Sequence, residues 1–246
     1  EKRLGADCLN FGGSSTSTVK GESLDDTVKT LCSYKIDCIV VRDSHAGVPY
    51  KVAKASGVPV IDAGDGKHQH PTQTLLDLFT IWENFKDFRG LKVGIVGDIS
   101  HSRVAVSLGP ALKTLGANVT LIGPPTLMPP NPEVLGADNV SYDLDETLPM
   151  LDVVYMLRIQ RERFEGAPFP STREYSSFFG LNKERESLMK ENAIICHPGP
   201  INRGVELDSY MADHPRRSVI LDQVYAGVLV RMAALYMLLS KDEEGK

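Results

Sequence analysis

An α/β fold with parallel sheets is predicted by three features: short β-rich runs alternate with helical patterns along the chain, several of those runs are apolar at every position, and 246 residues suffice for two compact units. The strand candidates are Asp7 to Phe11, Asp37 to Arg42, Val58 to Asp62, Leu91 to Gly97, Asn118 to Gly123, Asp152 to Arg158 and Ala193 to His197. Runs such as Ile39-Val40-Val41 and Val93-Gly94-Ile95-Val96 do not alternate, which is expected where helices cover both faces of a sheet. Between them, Leu24 to Tyr34 reads as a helix capped by Ser23, and Thr72 to Phe85 carries Leu75, Leu76, Leu78, Phe79 and Trp82 at helical spacing. A last helix over about Gln223 to Leu239 spaces Tyr225, Val228, Leu229, Met232, Leu235, Tyr236 and Leu239 as a core face, with a subunit contact as the alternative. Phe11 to Glu22 and Phe164 to Gly180 lack a period and read as long loops, the kind that cover or bind ligands.

Charge narrows the partners. The 27 Lys and Arg are dispersed against 32 Asp and Glu, for a net charge of -5, so nucleic acid is not expected as a partner. The four cysteines show no Cys-x-x-Cys spacing and fit a reducing cytoplasm. No continuous apolar run reaches the roughly 18 residues of a membrane span. Glu1 to Leu4 reads as the tail of a helix, so a preceding segment is expected.

Residues suited to chemistry cluster at strand ends. Asp62 to Gln73 runs from a strand into a helix, where free backbone N–H groups favour an anion, with His70 and Gln73 pointing toward one pocket. A helix-capping role for His70 is the alternative, and a metal site built on His68 and His70 lacks supporting ligands. Arg42 and Arg158 each follow an apolar run, a position from which a guanidinium can grip a phosphate or carboxylate with two parallel hydrogen bonds, or form a surface ion pair. Arg103 stands where a helix should begin after Val96-Gly97-Asp98, a turn that lacks the Gly-x-Gly-x-x-Gly of dinucleotide sites. Cys196-His197-Pro198-Gly199-Pro200 ends a strand in a rigid turn whose carbonyls can accept hydrogen bonds from an amide or amine.

As an ordered set these motifs resemble the aspartate carbamoyltransferase catalytic chain, within the aspartate/ornithine carbamoyltransferase superfamily. The residues that carry the resemblance are Lys20-Gly21-Glu22, Val41-Arg42, Ala63-Gly64-Asp65-Gly66 with His70-Pro71-Thr72-Gln73, Val96-Gly97-Asp98 with Arg103, Tyr155 to Gln160 with Glu162-Arg163, and His197 to Pro200. The resemblance implies two doubly wound domains with parallel sheets and an active-site cleft between them. Residues 1–72 plus 222–246 would form a carbamoyl phosphate domain, and 73–221 an aspartate domain. Arg42, His70 and Gln73 would be catalytic and bind carbamoyl phosphate together with Pro198, Gly199 and Pro200, while Arg103, Arg158 and Gln160 would hold aspartate. Lys20, also catalytic by the resemblance, would reach the active site of a neighbouring subunit and meet aspartate there, which implies a homotrimer with shared sites. An unperturbed histidine titrates near about 6.5, so at pH 7 His70 would serve mainly as a hydrogen-bond donor. No cofactor and no metal are implied, and regulatory or dihydroorotase-like partner chains are left open.

The family's Ser-Thr-Arg-Thr-Arg phosphate motif should precede residue 1. Its absence from this sequence supports one alternative, a catalytically silent assembly subunit of a pyrimidine-synthesis complex. A carbamoyltransferase using ornithine is the other alternative, although that group carries His-Cys-Leu-Pro where this chain has His197-Pro198-Gly199-Pro200.

Overall fold

The computed structural model describes residues 1–11, 23–159 and 171–240. They form two units, Glu1–Thr72 with Gly227–Lys246, and Gln73–Ala226. Two helices run through both: α3 (Pro71–Phe85) and α8 (Ile220–Leu239).

The first unit holds a right-sized β-α-β element. Strand β1 (Ile39–Asp43) pairs in parallel with β2 (Val60–Asp65), and parallel neighbours need a crossover, which α2 (Val48–Ser56) supplies. Helix α1 (Leu24–Cys32) starts where Ser23 accepts a hydrogen bond from the Asp26 N–H at 3.2 Å, the cap read in the sequence. Asp7 to Phe11 is not a strand: no neighbour pairs with it among the described residues, and a lone strand leaves its N–H and C=O groups unmatched.

The outer part of α8 also departs from expectation. Of its seven periodic apolar residues only Leu235 is buried, while Tyr225, Val228, Leu229, Tyr236 and Leu239 are exposed. Helical spacing fixes which residues share a face of the helix but not what lies opposite that face, and these positions are left exposed. By length and composition α8 also meets the requirements of a membrane span. Its first turns are nevertheless built into the protein interior, since Ile220 joins a core and the Gln223 amide is buried and hydrogen bonded.

In the second unit five parallel strands stand in the order β5-β4-β3-β6-β7, with β3 (Lys92–Val96), β4 (Asn118–Ile122), β5 (Asn139–Ser141), β6 (Val153–Met156) and β7 (Ile194–Cys196). The chain winds outward one way from β3 and then returns to wind the other way from β6, which makes the sheet doubly wound. Strand side chains alternate between two cores. Val93, Ile95, Val119, Leu121, Val153, Tyr155 and Cys196 pack with Ile81 of α3 and with Leu108 and Leu112 of α4 (Arg103–Thr114). On the other face, Val96, Ile122, Val154, Met156 and Ile195 meet Leu144 of α5 (Leu144–Thr147), Tyr175 and Phe179 of α6 (Thr172–Phe179), and Met211 of α7 (Ser209–Ala212).

Helix α6 occupies what was expected to be loop. Ser171 caps it by accepting from the Glu174 N–H at 3.1 Å, and Tyr175 and Phe179 then face the core one turn apart. The Ser-x-x-Glu spacing was present in the sequence but lay in a stretch dominated by Gly, Pro and Ser. Residues 164–170 of the expected loop, and 12–22 of the other, lie outside the described residues.

Burial raises the Tyr155 phenol and the Cys196 thiol well above their ordinary values of 10.0 and 9.0, with the Asp77 carboxylate adding to both shifts. A raised folded value means the native state keeps protons that the unfolded chain releases. This contribution is complete below the ordinary values and is lost as pH climbs from them toward the folded ones. The thermal unfolding midpoint is expected to fall between about pH 8.5 and pH 10.5. Scanning calorimetry of the wild type and Tyr155→Phe should show a shallower decline in the variant; equal slopes would remove Tyr155 from this account.

Candidate functional site

Within the first unit, β1 carries Arg42 at a register shift between Val41 and Asp43, and the Arg42 side chain is exposed. The loop after β1 is tied to the end of β2, because Asp65 accepts from the Gly47 N–H at 2.7 Å and the Gly66 N–H donates to the Asp43 carbonyl at 2.9 Å. Gly66 is required there: its φ is 54°, and a Cβ would stand 2.8 Å from the Ala46 nitrogen. The second Asp65 oxygen holds His68 Nδ1 at 2.8 Å. His70 follows, buried, immediately before α3. Proline opens that helix where its missing N–H costs nothing, and Gln73 lies buried in the first turn.

In the second unit the expected site residues fall on one edge. Val96 ends β3, Met156 ends β6 and Cys196 ends β7, and all three strands run parallel, so the segments carrying Arg103, Arg158 and Pro198 to Pro200 leave from the same, carboxyl, edge of the sheet. Arg103 and Arg158 follow β3 and β6, the two adjacent strands at which the winding reverses. In sheets of this kind that crevice is where ligands bind. The approach of the two strand ends is tight: the Leu157 N–H donates to the Val96 carbonyl at 2.8 Å, and Gly97, with φ 128°, would place a Cβ 3.2 Å from the Leu157 Cβ. Arg103 is the first residue of α4, behind Ser102, whose hydroxyl accepts from the Ala105 N–H at 3.2 Å. Both guanidinium-bearing residues are half-buried. Lys20 and Gln160 lie outside the described residues.

The β7 turn is held from within. The His197 N–H donates to Gln223 Oε1 at 2.8 Å, and His197 Nδ1 accepts from the Gly199 N–H at 2.9 Å. That leaves His197 Nε2 to carry the hydrogen directed at Glu206 Oε1, 3.2 Å away. Glu206, also fully buried, accepts from the Asn202 N–H at 2.6 Å, and Asn202 Nδ2 donates to the Ile159 carbonyl at 3.0 Å. The turn after β7 is thereby joined to the segment after β6. Pro198 is half-buried, Gly199 and Pro200 are exposed, and the Gly199-Pro200 peptide is cis.

A second buried carboxylate was not singled out from the sequence. Asp77 of α3 has no solvent exposure and accepts from Gln73 Nε2 at 3.0 Å, Gln223 Nε2 at 2.7 Å and the Tyr155 hydroxyl at 2.7 Å. Its signal was an acidic residue enclosed by Leu75, Leu76, Leu78 and Phe79.

Comparison with known proteins identifies the family. Residues 1–83 match the family model described as the carbamoyl-P binding domain of aspartate/ornithine carbamoyltransferase, and residues 89–238 match the Asp/Orn binding domain of the same family. The aspartate carbamoyltransferase catalytic subunit of Opitutus terrae is 53% identical over 236 residues, which cover 96% of this chain and 74% of the relative. That of Magnetococcus marinus is 48% identical over 242 residues, covering 96% and 74%. Among solved structures, aspartate transcarbamoylase from Trypanosoma cruzi in complex with carbamoyl phosphate superimposes with a TM-score of 0.86 at 30% identity, covering 97% of this chain and 77% of that one. The same enzyme with N-(phosphonacetyl)-L-aspartic acid gives a TM-score of 0.85 at equal identity and coverage. From the matched carbamoyl-P and Asp/Orn binding domains, and from relatives about half identical along nearly its whole length, the chain belongs to the aspartate/ornithine carbamoyltransferase family.

Proposed function

We propose that this chain transfers the carbamoyl group of carbamoyl phosphate to the amino group of L-aspartate, giving N-carbamoyl-L-aspartate and inorganic phosphate. The observation that carries the proposal is the pair Arg103 and Arg158 on the segments after β3 and β6, at the reversal point of the sheet, with the Pro198–Pro200 turn leaving the same edge. Two guanidiniums suit an acceptor with two carboxylates. The names of the relatives, and solved neighbours holding carbamoyl phosphate, aspartate or the bisubstrate analogue, support the same chemistry.

In the proposed reaction the aspartate nitrogen bonds to the carbamoyl carbon, the bond from that carbon to the phosphate oxygen breaks, and the departing phosphate takes up the amine's proton. Arg42 and His70 bind carbamoyl phosphate and stabilise the negative charge that grows on the carbonyl oxygen. Gln73 and the carbonyls of Pro198 and Gly199 accept from the carbamoyl NH2, with Pro200 shaping that wall. Arg103, Arg158 and Gln160 hold the aspartate carboxylates so that its amine faces the carbon, and most of the acceleration is positioning. Lys20, supplied by a neighbouring subunit of a homotrimer, completes the aspartate site. The product enters pyrimidine biosynthesis in the cytoplasm.

Acceptor choice tests the proposal. Ornithine would set a cation where aspartate has its side-chain carboxylate, and like charges in such a site cost several kcal/mol, so kcat/KM for aspartate is expected to exceed that for ornithine by on the order of 1,000-fold. Steady-state carbamoylation by the native protein measures this, and equal turnover of ornithine would overturn the assignment. Arg158→Ala is expected to lower kcat/KM for aspartate by roughly 100-fold while changing KM for carbamoyl phosphate little. The reverse pattern would assign Arg158 to the other substrate.

A further inference from the structure

Asp77, Gln73, Gln223, Tyr155 and His197 all belong to the second unit, and their hydrogen bonds form one connected frame. Each donor and acceptor in it is chemically determined. The His197 N–H can only donate, so the Gln223 group facing it is the carbonyl oxygen, and the Gln223 nitrogen must point to Asp77. Burial, with the Asp77 charge beside it, keeps the Tyr155 phenol protonated and therefore a donor toward Asp77 Oδ2. Asp77 Oδ1 then faces Gln73, and a carboxylate only accepts, so Gln73 must present its nitrogen there. The second hydrogen of the Gln73 nitrogen is taken up by the Tyr155 oxygen, to which the Gln73 side chain also hydrogen bonds, so the part of the buried amide left to face elsewhere is its carbonyl oxygen.

We propose that Asp77 is a positioning residue that fixes the Gln73 amide with its oxygen outward and, through Gln223, ties Gln73 to the His197–Pro200 turn, so that the frame offers only acceptors to the amino group of the carbamoyl donor. This rests on the function proposed above. Its consequence is selectivity between donors. Carbamoyl phosphate presents two N–H groups to these acceptors, whereas acetyl phosphate, with a methyl group in the same place, presents none and leaves them unmatched. With Asp77 replaced by asparagine the amide of Gln73 is free to turn over, and its NH2 then opposes the substrate's NH2. A role confined to folding would lower both reactions together.

The test is a comparison of kcat/KM for carbamoyl phosphate and for acetyl phosphate, with aspartate as acceptor, in the native protein and in Asp77→Asn. The variant is expected to lose about 30-fold with carbamoyl phosphate and less than about threefold with acetyl phosphate. Gln73→Met should lose the same selectivity, and adding Asp77→Asn to it should change the ratio no further. A variant that loses both activities in parallel, or a double variant whose losses simply multiply, overturns the positioning role. Should Asp77→Asn lose its native circular dichroism, Gln223→Met removes the other partner of Asp77 Oδ1 and is expected to cut the donor ratio at least about threefold. An unchanged ratio there is equally fatal. A native protein that carbamoylates no aspartate contradicts the functional reading itself, and so is told apart from these outcomes.

Discussion

Reversal of winding between β3 and β6 is the constraint on which the proposed acceptor site depends. Adjacent strands whose crossovers depart to opposite sides leave their carboxyl ends uncovered, and the segments that follow are free to carry polar side chains rather than core. Arg103 and Arg158 are cations carried on those two segments among the described residues. Their rear support is apolar and continuous: Val96 and Met156 lie in register, and the small Gly97 lets the backbone pass against Leu157. Side chains carried close behind rigid strand ends or at the start of a helix hold their geometry more closely than those far out on long loops.

Polar groups behind this edge are costly to bury and are matched accordingly. An unmatched buried donor or acceptor costs about 1–3 kcal/mol, more when charged, so Asp77 with three donors and Glu206 with donors from Asn202 and His197 are tolerated where either alone would not be. Both carboxylates bond to a side chain or turn that is proposed to meet the carbamoyl group. Fully satisfied networks of this sort have one arrangement, which is what a site discriminating between an amino and a methyl group requires.

Much of this was legible in the sequence, for physical reasons that also explain the rest. Six of the seven strand candidates are found within a few residues because continuous apolar runs mark strands covered on both faces. Strand β5 was missed, since Asn139–Ser141 is too short for any period. Asp7 to Phe11 had a strand's composition, but pairing is not local and no partner meets it among the described residues. The exposure of α8 was illegible because helical spacing tells which residues share a face, not what lies opposite. Arg42, His70, Arg103, Arg158 and the His197–Pro200 turn could be picked out because polar residues at strand exits contrast with the runs before them. Asp77, Tyr155 and Gln223 were passed over because each is a single polar residue inside an apolar run, and only the packed structure brings them within 3.0 Å of one another's partners.

A structure of the native protein with N-(phosphonacetyl)-L-aspartate bound would examine the account at its centre. The aspartyl carboxylates should lie within hydrogen-bonding reach of Arg103 and Arg158, with the Gln73 amide still donating to Asp77. Carboxylates held elsewhere, with both arginines turned to solvent, would contradict it.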